Sequence, residues 1–494
     1  MTGWVAGFMV LVLLVVSACR PPLPGAVHSP SSFAHKQLTW SPCGGGFQCA
    51  TLMVPIDYAN HNGKQISLAL LRKPATEPSG RIGSLLMNPG GPGESGNDYL
   101  RYASDDFATL NKRFDIVSWD PRGVGSSSPV ECLTGSQLDD LFALDPVLDD
   151  PQEKQAYIQA QKDFASACWQ KDHDLLPFMD SESTAEDMEQ IRAALGDRKL
   201  TYLGFSYGTY LGQWYAHLYP KRVRAMVLDG VVFTTELNTA TSPFDAVYDA
   251  QAFEDGLRAY IDDCPYRSTC PYHPSTNFEQ RIEVAMAGLD AKPVAVGRRY
   301  LTRGLGLAAL VAAVYFVDVW PDLDKALTAL ATGDGAPMLG LADYFNGRND
   351  DGTYISEFNG ALDATTCLDG LHPTADITAY DQAGPALIKA SPLFGPMVQY
   401  QALRCAFWPV DAKGLEVPSV SSDVPPILLI GATGDPATSY QEAEQANQDI
   451  PGSVLLTRKG SGHTSYGYSA CIDSAANNYL LFLVLPPAGT VCPG

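Results

Sequence analysis

One short stretch limits the possible folds more than any property of the whole chain. The apolar run Leu200-Thr201-Tyr202-Leu203 leads directly into Gly204-Phe205-Ser206-Tyr207-Gly208, and Leu211 to Leu218 then shows helical spacing. Where a strand turns straight into a helix there is no room for side chains beside the tip, so glycine on each side of the serine is a steric requirement. The serine is left exposed on the turn. It also stands at a helix N-terminus, whose unpaired N–H groups favour negative charge developing nearby. Ser206 is therefore the expected nucleophile, in an α/β architecture with a parallel sheet.

The rest of the chain fits that architecture around an interruption. At 494 residues it exceeds what one hydrophobic core usually organises, which predicts a large domain with an insertion, or two domains. Expected strands are Ile66 to Leu71, Ser84 to Met87, Phe114 to Trp119, Leu200 to Leu203 and Ala225 to Leu228. Several are apolar runs ending in Gly, Asp or Pro, as strands buried on both faces should be. Between Asp150 and Arg198 the spacing is helical. From about Phe233 to Gln401 the strand rhythm stops, and Ala246 to Ile261, Phe278 to Leu289 and Leu305 to Val319 read as helices. Strands resume at Pro426 to Gly431 and Ser453 to Thr457. The expected division is a leader over 1–19, a tether over 20–37, a first core part over 38–232, a mainly helical cap over 233–401 and a second core part over 402–494.

Val5 to Val16 is an apolar run followed by Val16-Ser17-Ala18-Cys19, too short to span a bilayer and patterned as an export signal. Such an ending resembles a lipoprotein signal with Cys19 as the lipidated residue and a lipid anchor to the membrane. The chain is expected to be exported, as a secreted, periplasmic or cell-envelope protein. Setting Cys19 aside, the 11 cysteines leave an even number, which in an exported chain predicts disulfides. Clustering suggests Cys43 with Cys49, Cys132 with Cys168, Cys264 with Cys270, Cys367 with Cys405, and Cys471 with Cys492. There is no C-x-x-C pair and no histidine at ligand spacing, so no metal site is expected. The net charge of −22 repels phosphate backbones and argues against nucleic acid as a partner, whereas a substrate with a free amine would be attracted.

Two further loops complete the expected chemistry. Asn88-Pro89-Gly90-Gly91-Pro92-Gly93 follows Leu85-Leu86-Met87 and lacks the order of a phosphate loop. It suits an oxyanion loop, with one N–H from Gly91, or Gly90, and the other from Tyr207. Serine needs a base to remove its proton and a carboxylate to orient that base. In hydrolases with this elbow the chain order is Ser, acid, His. Gly434-Asp435-Pro436 follows one late strand and Gly462-His463-Thr464 the next, so Asp435 and His463 are the expected acid and base. Asp120-Pro121-Arg122-Gly123 is read as a brace, with Asp120 and Arg122 holding the loops around the oxyanion site.

With these residues assembled, the chain resembles the proline-iminopeptidase group of α/β-hydrolase peptidases, and within it the secreted tripeptidyl aminopeptidases. The resemblance rests on NPGGPG from Asn88, DPRGVGSS from Asp120, GFSYGT from Gly204, GDPATS from Gly434 and GHTSYGYSACID from Gly462. Asn88 stands where the iminopeptidases begin this loop with His, which favours the tripeptidyl branch; Glu94 departs from the small residue expected there. The resemblance implies a monomeric serine aminopeptidase that removes short peptides from free N-termini and needs no cofactor. Thr438 would hydrogen-bond the acid. Carboxylates in the cap would bind the substrate amine, with Glu236, Asp245, Asp249, Glu254 and Asp255 as candidates. A carboxylesterase or lipase of the same fold, a single-residue iminopeptidase and a binding protein on a retired scaffold are the rivals.

Overall fold

The computed structural model describes residues 38–494 apart from 234–242, 272–276, 356–358 and 415–417. The expected leader and tether, Cys19 and Glu236 lie outside the described residues. The remainder is organised by a ten-stranded sheet in the order β1-β2-β3-β5-β4-β6-β7-β10-β11-β12. β1 (Ser41–Pro42), β2 (Gln48–Pro55) and β3 (Gln65–Lys73) form an antiparallel edge, and β3 pairs antiparallel with β5 (Phe114–Trp119). From β5 onward the sheet is parallel through β4 (Gly83–Asn88), β6 (Leu200–Phe205), β7 (Val223–Asp229), β10 (Leu428–Gly434), β11 (Val454–Ser461) and β12 (Val491–Cys492).

The central strands are mostly apolar because both faces are covered. Successive residues point to opposite faces of a strand, and here they enter different cores. Leu86 and Leu429 pack with the helices Ser181–Ala194 and Tyr207–Leu218. Their neighbours Leu85, Met87, Leu428 and Ile430 pack on the other face with Leu100, Ile472 and Leu480. A strand with two apolar faces reads as a continuous run, and β4, β5 and β6 are buried at every position.

A third core belongs to the inserted helices Ala246–Asp263, Phe278–Ala291, Arg303–Tyr315, Trp320–Leu330 and Ala336–Phe345. The helix Ala361–Asp369 instead packs Ala364, Cys367 and Leu368 into the core shared with Tyr207–Leu218. Two local features differ from the sequence reading. A hairpin of β8 (Val294–Val296) and β9 (Arg299–Leu301) interrupts the helices, joined by Gly297-Arg298 with Gly297 at φ +60°. The helix expected to run to Val319 ends at Tyr315, and a short 3-10 turn follows. Among the described residues no single helix is long and apolar enough to cross a membrane.

Five disulfides join Cys43–Cys49, Cys132–Cys168, Cys264–Cys270, Cys367–Cys405 and Cys471–Cys492, each between the neighbours that clustering pairs.

Candidate active site

The elbow takes the strained form that its glycines permit. Ser206 has φ +52° and ψ −128°, in the region that side chains rarely adopt. A side chain at Gly204 would meet the carbonyl of Gly208, and one at Gly208 would lie 2.6 Å from the Asn88 carbonyl oxygen. The turn is held by Ser206 N–H donating to the Asp229 carbonyl at 2.9 Å and by Thr209 Oγ1 donating to the Ser206 carbonyl at 2.7 Å. The Tyr207 side chain leaves the site, its hydroxyl 2.6 Å from Ser181 Oγ in the buried core.

His463 and Asp435 come together from the ends of adjacent parallel strands. His463 Nδ1 lies 2.9 Å from Asp435 Oδ1 and 3.0 Å from Oδ2. A proton held there on Nδ1 leaves Nε2 as the acceptor. Asp435 also accepts from Ala437 N and Thr438 N at 2.9 Å, Thr438 Oγ1 at 3.1 Å and Thr464 N at 3.2 Å. Burial opposes the charge on each partner. The pair outweighs it, holding the Asp435 carboxyl below its ordinary pKa and the His463 imidazole above its own. His463 N–H donates to the Tyr315 carbonyl at 3.1 Å, and the two rings meet edge to face at 5.7 Å. That carbonyl lies in the last turn of the helix Arg303–Tyr315, beyond the reach of the helix's own N–H groups. The imidazole and the Ser206 turn both lie at the end of β7: Ser206 N–H binds the carbonyl of residue 229, and a Cβ on Gly230 would lie 3.3 Å from His463 Cε1.

The glycine loop after β4 closes on the same turn. A Cβ at Gly90 would stand 3.0 Å from both Ser206 Cβ and Tyr207 N, so only glycine permits this approach. Gly90 N–H is committed to Asn88 Oδ1 at 3.0 Å. Gly91 follows it in the loop at φ +99°, and Tyr207 N stands on the turn that Gly90 approaches.

Residues 83–273 match the family model described as "alpha/beta hydrolase fold", and residues 391–492 match that described as "TAP-like protein". Over 522 residues the chain is 33% identical to the "Serine protease Hip1" of Mycobacterium tuberculosis, covering 99% of this chain and 97% of that protein. The chain belongs to the α/β-hydrolase family. It is also 30% identical to the "Tripeptidyl aminopeptidase" of Streptomyces lividans, over 92% of this chain and 87% of that one. Identity to the "Carboxylesterase B" of M. tuberculosis is 32%, over 98% of this chain and 96% of that one. The protein is a serine hydrolase of the α/β fold.

The remaining sequence candidates separate in this hydrolase. Asp249 is half-buried on the helix Ala246–Asp263; burial and the carboxylates of Glu442 and Asp245 push it up to about 7. Glu254 is engaged internally, accepting from Ser391 Oγ at 2.7 Å and pairing with Arg258 at 3.2 Å. Asp255 is exposed and accepts from Gln251. Asp120 braces the segment after the glycine loop, accepting from Ser95 Oγ at 2.6 Å and from Ser126 N at 2.9 Å. Arg122 does not join it. Its buried guanidinium reaches Asp187 at 2.7 and 2.8 Å and the carbonyls of Ile56 and Phe178, because a buried cation needs a full set of acceptors, of which the helix Ser181–Ala194 supplies the carboxylate.

Of three further residues near the site, the sequence reading had singled out only Glu94, as a departure from a small residue. Arg458 on β11 donates to the carbonyls of Ser461, Gly462 and Thr464 at 3.0 Å and shapes the histidine loop. Glu94 is half-buried and pushed up to about 7 by burial, against the opposing pull of the His463 charge. Asp229 is fully buried at the end of β7. Only Glu94 carried a signal, as a charge beside a glycine loop.

Proposed function

We propose that this hydrolase is an exported serine aminopeptidase that releases short peptides, tripeptides foremost, from free N-termini. The observation that carries the reading is the His463–Asp435 pair, whose ring lies beside Gly230 at the end of β7, the strand whose Asp229 carbonyl receives Ser206 N–H. In this mechanism Nε2 of His463 accepts the proton of Ser206 as its oxygen attacks the scissile carbonyl. Gly91 N–H and Tyr207 N–H receive the oxyanion. The imidazolium, steadied by Asp435, passes its proton to the leaving amine, and the same base then activates the water that frees the acyl group.

Aminopeptidase specificity needs a carboxylate for the substrate ammonium, and Asp249 is the strongest of the cap candidates. Its charge is crowded by Asp245 and Glu442, so an incoming ammonium would relieve repulsion as well as form an ion pair. Export accords with the leader pattern at Val5 to Val16 and with disulfides, which persist in oxidising compartments.

The test compares Ala-Ala-Pro-p-nitroanilide, its N-acetylated form and p-nitrophenyl butyrate. The free peptide should exceed the blocked one by about tenfold or more in kcat/KM, since the ammonium contact is lost on acylation. Equal cleavage of both peptides removes the aminopeptidase reading. Ester turnover without peptide turnover would favour the esterase reading that the similarity to "Carboxylesterase B" keeps open.

A further inference from the structure

Asp229 has no part in the chemistry above, yet its hydrogen bonds reach both the serine turn and the histidine loop. Its backbone carbonyl accepts Ser206 N–H at 2.9 Å. Its carboxylate Oδ2 accepts Ser465 N–H at 2.9 Å and Tyr466 N–H at 2.7 Å, the amides two and three residues beyond His463. The next residue, Gly230, donates its N–H to the Ile430 carbonyl of β10, the strand that leads to Asp435. Residues 229 and 230 therefore bind the serine turn, the histidine loop and the strand of the acid at once.

A structural anchor alone does not explain the choice of side chain. Asp229 is completely buried, and its second oxygen, Oδ1, has no hydrogen-bond partner among the described residues. Leaving a buried carboxylate oxygen unpaired is costly, and such exceptions in a native core call for a reason. An amide side chain could accept both backbone N–H groups without carrying a charge. The Asp229 charge interacts with His463, and Asp435, Glu94 and Tyr99 are the acidic groups around the two. The cation on this loop, Arg458, is taken up by Ser465 Oγ and the carbonyls of Ser461, Gly462 and Thr464.

We propose that Asp229 is a positioning residue of this active site: it holds the His463 loop in register with the Ser206 turn, and its negative charge supports the imidazolium as a second carboxylate behind Asp435. The inference rests on the triad reading above. Burial raises the pKa of Asp229 to about 6, so the charge is present at neutral pH and fades in mild acid. Its presence raises the pKa of His463.

The test uses the full chain carrying Asp229→Asn, with Ser206→Ala as the reference. Asparagine preserves shape and one acceptor while removing the charge. In Asp229→Asn, kcat should fall about 10- to 100-fold, the scale of a base displaced by up to an ångström, with KM nearly unchanged. The acid limb of its kcat/KM profile should move to lower pH, because the imidazole loses a negative neighbour. Wild-type kcat with an unmoved acid limb would overturn the proposal, as would a fall in kcat with no movement of the limb. If the asparagine variant does not fold, as judged by circular dichroism and melting, Asp229→Ser carries the same two readouts with a smaller neutral side chain. Full activity in Ser206→Ala would instead remove the triad reading beneath it.

Discussion

Gly230→Ala is the most exacting probe of how the imidazole is seated. Gly230 has φ +69°, so any side chain there pays the left-handed penalty of about 1–2 kcal/mol. The added methyl would also lie 3.1 Å from Thr438 Oγ1, 3.2 Å from Thr464 Cγ2 and 3.3 Å from His463 Cε1. Carbon atoms settle at roughly 3.5–4.0 Å, so these neighbours must retreat by about 0.3–0.5 Å. If an ångström of misplacement costs about 100-fold, that retreat lowers kcat by roughly four- to tenfold. The two effects separate experimentally: steady-state kinetics on a tripeptide p-nitroanilide should show the fall in kcat with little change in KM, and a thermal melt should show a drop of about 2–4 °C. A variant with lowered stability but wild-type kcat would mean that the ring does not rest against the end of β7. The geometric argument for the site would then fail.

Three other outcomes follow from the same contacts. Asp435→Asn should leave the fold intact and lower kcat by about 10⁴-fold, because the amide no longer holds the Nδ1–H tautomer; a loss under tenfold in the same kinetic assay would refute its role. The base must be neutral to act, and Asp435 raises the pKa of His463, so kcat/KM should rise with pH through an apparent value above the ordinary 6.5; a midpoint below 6 would contradict this. Removing the Cys132–Cys168 bond, which closes a separation of 36 residues, should lower stability in urea unfolding by about 4 kcal/mol if chain entropy governs, and no loss would show that the crosslink is redundant.

How far the sequence foretold these contacts depended on how local their causes were. β5 matches the expected Phe114 to Trp119 residue for residue, because a strand buried on both faces writes itself as one apolar run. Ser206, Asp435 and His463 could be singled out as candidates for a related reason: each sits in a glycine-bearing loop straight after such a run. The end of the helix at Tyr315 was not legible, since no Pro or Gly marks it and its terminal carbonyl is taken by His463, far away in sequence. The hairpin could have been found from Gly297-Arg298, a two-residue turn with glycine first, set between short runs that include Val294 and Tyr300. Asp229 looked like the close of an ordinary strand, and Arg122 gave no hint of its partner Asp187, because both depend on which strands and helices become neighbours in space.

The central claim is that Ser206 is the nucleophile activated by His463. Treating the purified protein with a fluorophosphonate and mapping the adduct by peptide mass spectrometry tests it directly. A single adduct on the peptide containing Ser206, formed in step with loss of peptidase activity and abolished in His463→Ala, is the predicted result. Labelling at another serine, or full activity after Ser206 is modified, would contradict it.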